Sequence, residues 1–378
     1  MSSPYSIAKI FAQMELDLIK SMKRNLARHE DEERQMGFKW EQWQQRKLEA
    51  LARYRKQNAA LLAAYGSEVD RLTAEVIEES FMDGAKQTDG IIRRLWNQLK
   101  HLFIAGELTE PITRVDGTDE SFFGINAYRL NALIEATQSE LRDGTAAMLR
   151  MSDDVYRQTI FKAQVYANAG AATVNKAIDM ATRDFLDRGY NCITFKDGRQ
   201  VSIASYAEMA LRTASQRAVF AGEGARRQEW GVKTVIVSSH ANCSPLCLPW
   251  QGKPYVDDVY SAGKSGESGG MTLLSTAMAG GLFHPNCRHN MSTYFPGISS
   301  VPQPVDDEQA EESYQAEQKQ RYMERQIRMY QRRQAGSADP GNQDAAASKV
   351  KEWRGRLREH LADHDELRRD RSREKLQV

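Results

Sequence analysis

The chain has 378 residues, 41% of them hydrophobic and 27% charged, with a formal net charge of +1. That length accommodates two or three domains, and a charge so near neutral gives no global attraction to nucleic acid or a membrane surface. Four cysteines exclude a disulfide scaffold. No run supplies the roughly 18 apolar residues of a membrane span.

Residues 1–104 read as an N-terminal helical region. The opening MSSPYSIAKIFAQMELDLIK lacks the basic and apolar parts of a signal peptide, so a reducing cytoplasm is the expected site of synthesis. Ile7, Ile10, Phe11, Met14, Leu18 and Met22 fall on one helical face. After the polar RHEDEERQMG, Leu62, Tyr65, Val69, Leu72 and Val76 step by three and four. The stripe is too short for an extended coiled coil and predicts an antiparallel helix pair.

Residues 105–189 read as a connector followed by central helices. The Gly-, Pro- and Thr-rich GELTEPITRVDGTDESFFGIN predicts a loop. One helix is expected over 127–149. A second is expected from Ser152, with Asp153 and Asp154 in its first turn, to Gly189. Its alanine-rich middle suits close helix–helix approach.

At residue 190 the texture changes, and 190–300 reads as a small α+β module. Asp197-Gly198 between two β-rich runs is a hairpin signal. Ser205 and Glu208 form a candidate capping box, opening a helix to about Glu229 with Gly231 behind it. VKTVIV, residues 232–237, reads as a buried strand leading directly into SSHANCSPLCLPWQGKPY. The later GKS triplet is not a phosphate loop, because no glycine stands at the pattern's first position and no helix follows.

Residues 301–378 read as a charged helical tail in which sixteen basic and sixteen acidic side chains balance. Arg321, Arg325, Arg328 and Arg332 share one face, and Met323, Ile327 and Tyr330 another. QAGSADPGNQDAAAS reads as a flexible linker before a last helix over 349–376. The fold class expected for the whole is α+β: mostly long helices, plus a small module with a β-hairpin and a Cys/His cluster.

That cluster is the candidate site. Cys243-x3-Cys247 is followed, 39 residues on, by Cys287-x-His289, with His240 and His284 beside the two pairs. Three readings stay open. The first is a buried, reduced Cys/His cluster without metal. The second is a structural zinc on Cys243, Cys247, Cys287 and His289, with His240 or His284 as substitutes. The third is a catalytic Cys–His pair, for which no orienting third group declares itself. A zinc deaminase signature fails, since Asn242 stands two after His240. Trp250 reads as a packed anchor whose indole N–H needs a partner.

Taken in order, FKDGR, SYAEMALRT, SSHANCSPLCLPWQGKPY and GLFHPNCRHNMSTYFPG resemble the phage minor capsid protein 2 family, which is distantly similar to Mu F-like head morphogenesis proteins. The resemblance is specific over 190–297. It implies a non-enzymatic structural protein of the phage head in the virion, present in multiple copies. Its implied partners are the portal and other head proteins, with the tail as the segment that would meet packaged DNA. It further implies a role in procapsid assembly and passage into the cell with the DNA. The Mu F-like pattern ends Cys-Arg-Cys where this chain has His289, an exchange that keeps zinc-ligand character. The residues' own alternatives are a Cys/His-dependent hydrolase or nuclease, and a DNA-binding accessory protein of the virion.

Overall fold

A computed structural model describes residues 4–36, 40–104, 120–168, 174–195, 197–266, 269–285, 287–302 and 306–376. Eight α-helices and two small antiparallel sheets make up the described residues, so the chain is a mostly helical α+β protein. No described helix is long and apolar enough to cross a membrane.

The first two helices follow the predicted stripes. In α1 (Pro4–Met36) Ile7, Phe11, Met14, Leu18 and Met22 are buried, and in α2 (Trp40–Ile104) Leu62, Val69, Leu72 and Val76 are. They meet in one core with α3 (Glu120–Asn168), α4 (Val174–Arg188) and α5 (Ile203–Glu229). At 65 residues, α2 extends on the order of 100 Å.

α3 is one helix where the sequence predicted a break at Ser152. The signal was a false cap. Ser152 is fully buried inside the helix, its hydroxyl 2.6 Å from the Tyr54 hydroxyl and accepting from that of Tyr190 at 3.0 Å. Asp153 and Asp154 pair with Arg55 and Arg157. Most of the predicted connector, 105–119, and part of the alanine-rich run, 169–173, lie outside the described residues.

α5 starts three residues before the predicted capping box. Ser202 is its N-cap, accepting from the amide of Ser205. The helix ends as expected, with Gly231 at φ +69. α5 crosses α2 closely: a Cβ at Gly84 would meet the backbone of Val219, and one at Gly222 the backbone of Phe81.

The predicted hairpin is present as β1 (Ile193–Thr194) and β2 (Gln200–Val201). The second sheet has the order β4-β3-β5, from β3 (Thr234–Val237), β4 (Pro254–Val256) and β5 (Met291–Thr293). Val235 pairs with Tyr255 on one side and Thr293 on the other, and all four residues of β3 are buried. A short helix, α6 (Leu274–Ala279), lies between β4 and β5.

The tail folds back on the core. α7 (Asp307–Gly336) and α8 (Pro340–Ala362) pack through Met323, Ile327, Val350 and Leu357, so the apolar stripe predicted on α7 is the α8 contact. The segment predicted as a flexible linker, 334–348, is helical at both ends of a tight capped turn at 337–339. The last helix, predicted over 349–376, therefore starts at Pro340 and ends at Ala362. Asp179 of α4 accepts from the amides of Ala338 (2.6 Å) and Asp339 (3.2 Å) and from the Asn342 side chain (2.7 Å). The sequence signalled polar turn residues there; a carboxylate some 160 positions away made them ordered.

Candidate functional site

The module is built so that two distant turns face one another. β3 carries the chain into the turn holding His240, Cys243 and Cys247, and β5 receives it after Cys287 and His289. Because β5 pairs with β3, the two segments are tied at their roots. Ser238 N–H donates to Asn290 O at 2.8 Å, and Asn290 N–H to the Ser238 hydroxyl at 2.9 Å. The first turn closes on itself, Cys247 N–H donating to Ser244 O and Trp250 N–H to Cys247 O, both at 2.9 Å. Trp250 anchors the turn on α6, its indole N–H donating to Gly280 O at 3.1 Å. Trp250 is half-buried rather than a core anchor, and its indole N–H still has a partner.

All six predicted Cys and His residues converge. Cys243, Cys247 and Cys287 are buried free thiols in one apolar cluster with Phe220, Phe283 and Val237, and His289 is buried beside them. Cys247 and Cys287 have their sulfurs 3.5 Å apart. Cys287 Sγ lies 3.3 Å from His289 Nδ1, and Cys243 Sγ 3.6 Å from His289 Nε2. His240 stacks on His289 with ring centroids 4.1 Å apart. Cys247, His284 and Cys287 each offer a ligand atom within 4.8 Å of the other two. The contacts therefore run Cys247–Cys287–His289–Cys243, with His284 closing on the first two.

The electrostatics separate the thiols. The hydrogen bond shared with Cys247, assisted by the His289 amide and opposed by burial, lowers Cys287 below the usual thiol range. The same hydrogen bond and burial push Cys247 up. Burial pushes Cys243 up to about 12, and its thiol donates to Ser244 O at 3.3 Å.

The sequence missed Gln251. Its Oε1 accepts from the His240 amide at 3.1 Å and lies 3.0 Å from His289 Nε2. It sits within the PWQG run, where only the aromatic drew attention; no spacing rule marks an amide as the orienting group for a histidine. Phe283, beside His284, is also unsignalled. It holds φ +55, a strained conformation for a bulky residue, while packing on Phe220 with ring centroids 4.6 Å apart. The fourth cysteine, Cys192, is half-buried just ahead of β1 and packs against the main core.

Of the arginine face predicted on α7, Arg332 turns inward and Arg325 stays exposed. Arg332 donates to the carbonyls of Leu186 (2.9 Å) and Asp187 (2.8 Å), and Arg321 pairs with Glu317 at 2.8 Å. With Arg325, Arg328 and Arg373 these residues line a polar cleft of about 750 Å³ between α7 and the core.

The chain matches the family described as phage minor capsid protein 2 over residues 2–362. A protein of Lactococcus phage LL-H described as a structural protein is 24% identical over 242 residues, covering 59% of this chain and 62% of that protein. One of Lactococcus phage mv4, also described as a structural protein, is 30% identical over 95 residues, 24% of this chain and 77% of that protein. The match thus spans less than two thirds of the LL-H protein's length. No solved structure matches the chain significantly.

Proposed function

The chain belongs to the phage minor capsid protein 2 family and is a phage structural protein; from that premise we propose that it works in the head, present in several copies and contacting the portal during procapsid assembly. The observation that carries this reading is the family match across nearly the whole length, residues 2–362. The architecture supports it: a 65-residue helix gives a long lateral surface for contacts with other virion proteins. Leu48, Met82 and Tyr128 add large apolar side chains that are exposed along α2 and α3.

The Cys/His cluster serves architecture rather than turnover in this reading. Its three thiols and His289 are buried, with Cys287 also lining a pocket of about 290 Å³ beside Arg212, Gln216 and Phe220. A hydrolase or nuclease at that centre would need the buried thiols to reach a substrate. The DNA-binding alternative loses ground because two arginines of its proposed face are engaged by this chain's own carbonyls and carboxylates. It predicts duplex affinity falling steeply with salt, and this account predicts no such slope.

Co-sedimentation of the purified protein with portal assemblies and with procapsids tests the proposal. Binding to portal, or to procapsids only when the portal is present, is expected. Failure to sediment with either would remove the assembly role.

A further inference from the structure

We propose that Cys247, Cys287, His284 and His289 bind one thiophilic divalent metal ion of the zinc class, as a clasp between the two turns of the module. This inference is independent of where in the virion the protein sits.

The first argument is distance. A tetrahedral zinc with sulfur and nitrogen ligands has ligand–ligand edges of about 3.5–3.8 Å. The Cys247–Cys287 separation is 3.5 Å and the Cys287–His289 Nδ1 separation 3.3 Å. The trio Cys247, His284 and Cys287 lies within 4.8 Å, so an inward shift on the order of 1 Å brings these three to coordination, with His289 joined to them through Cys287.

The second argument is the state of the two imidazoles. A metal-bound histidine normally gives its other ring N–H to an oxygen, which fixes the tautomer and orients the ligating lone pair. His284 Nδ1 lies 2.9 Å from Pro285 O, a carbonyl that can only accept. Its Nε2 must then carry the lone pair, and that atom is buried with no hydrogen-bond partner. Gln251 Oε1 accepts from the His240 amide, so it also accepts from His289 Nε2–H. His289 Nδ1 is left as the lone-pair nitrogen, and it faces Cys287 Sγ. Both rings are therefore set as metal ligands, by separate partners.

The third argument is charge. Two thiolates and two neutral imidazoles cancel a divalent cation, which suits a site inside an apolar cluster. A third thiolate would leave a net negative charge there. Cys243 instead keeps its proton on Ser244 O and lies against His289 Nε2, on the side away from the lone pair. His284, named from the sequence as a substitute ligand, thus takes the place given there to Cys243.

The test is elemental analysis of the full-length protein purified under reducing conditions, beside cobalt(II) reconstitution of the metal-stripped protein. About one zinc per chain is expected, with a thiolate-to-cobalt charge-transfer band and tetrahedral-strength visible bands. The Cys247→Ser/Cys287→Ser and His284→Ala variants should lose the metal, and Cys243→Ala should keep it. Where a variant fails to fold, the cobalt spectrum of the unmutated chain decides alone. A metal-free protein that gives no cobalt band overturns the proposal. Metal lost in Cys243→Ala but kept in His284→Ala overturns the ligand assignment.

Discussion

Arg227 is the largest side chain fully removed from solvent in the described protein. It lies between Glu223, one turn back on α5 at 3.3 Å, and Asp257, just after β4 at 3.2 Å. Asp257 is also held by Ser261 and by the amide of Tyr260. Burial pushes Glu223 up to about 7, with Arg227 opposing and Asp257 assisting. Above pH 4.5, the ordinary value for a glutamate, the folded state thus holds a proton that the unfolded chain has already lost. The stability this group contributes is complete below pH 4.5 and disappears as pH rises through about 7. Glu223→Gln should therefore gain on the unmutated protein as denaturant midpoints are followed from pH 4.5 to 8. A difference that stays constant with pH would contradict the assignment. Nothing in the sequence marked this triad. An i, i+4 acid–base spacing looks the same buried or exposed, and the partner that buries Glu223 and Arg227 lies 30 residues away in another element.

At the scale of elements, the α2–α5 crossing rests on glycine in both helices. Gly222→Ala places its Cβ against the Phe81 carbonyl, which cannot retreat without moving α2. A loss of about 1–3 kcal/mol is expected in urea unfolding. Gly66→Ala, on α2 with nothing within 4 Å, should instead be neutral or stabilise by about 0.5–1 kcal/mol. Equal effects at the two positions would show that the crossing is looser than described. The α7–α8 turn has its own test. Asp179→Ala removes the acceptor of three hydrogen bonds, and cleavage between 336 and 342 in limited proteolysis should accelerate. Unchanged cleavage would mean that the turn is held by other contacts. Helix faces were legible here because burial imposes a 3.6-residue period on apolar residues. Ile7 through Met22 and Leu62 through Val76 follow it directly. Ser152 misled because a cap and a buried hydroxyl pair use the same residue type, and only tertiary contact separates them.

For the whole molecule, the tail and the N-terminal helices form one packed body rather than a core with a loose extension. Arg333 pairs with Asp187, and Arg332 reaches Glu15 of α1 as well as the end of α4. The sequence indicated the charge balance of the tail but not this docking, since surface and buried arginines look alike in composition. The candidate site was more legible. The six Cys and His residues were marked by clustering in a Cys-poor chain, and the β3–β5 pairing explains why residues 40 apart meet. The resemblance carried by the same motifs agrees with the family match. The account's central claim is a place in the phage head, in contact with the portal. Cross-linking of purified heads, followed by peptide identification, tests it most directly. The prediction is that this protein is recovered from heads with cross-links joining α2 or α3 to the portal. Its absence from purified heads, or cross-links only to tail components, would contradict the account.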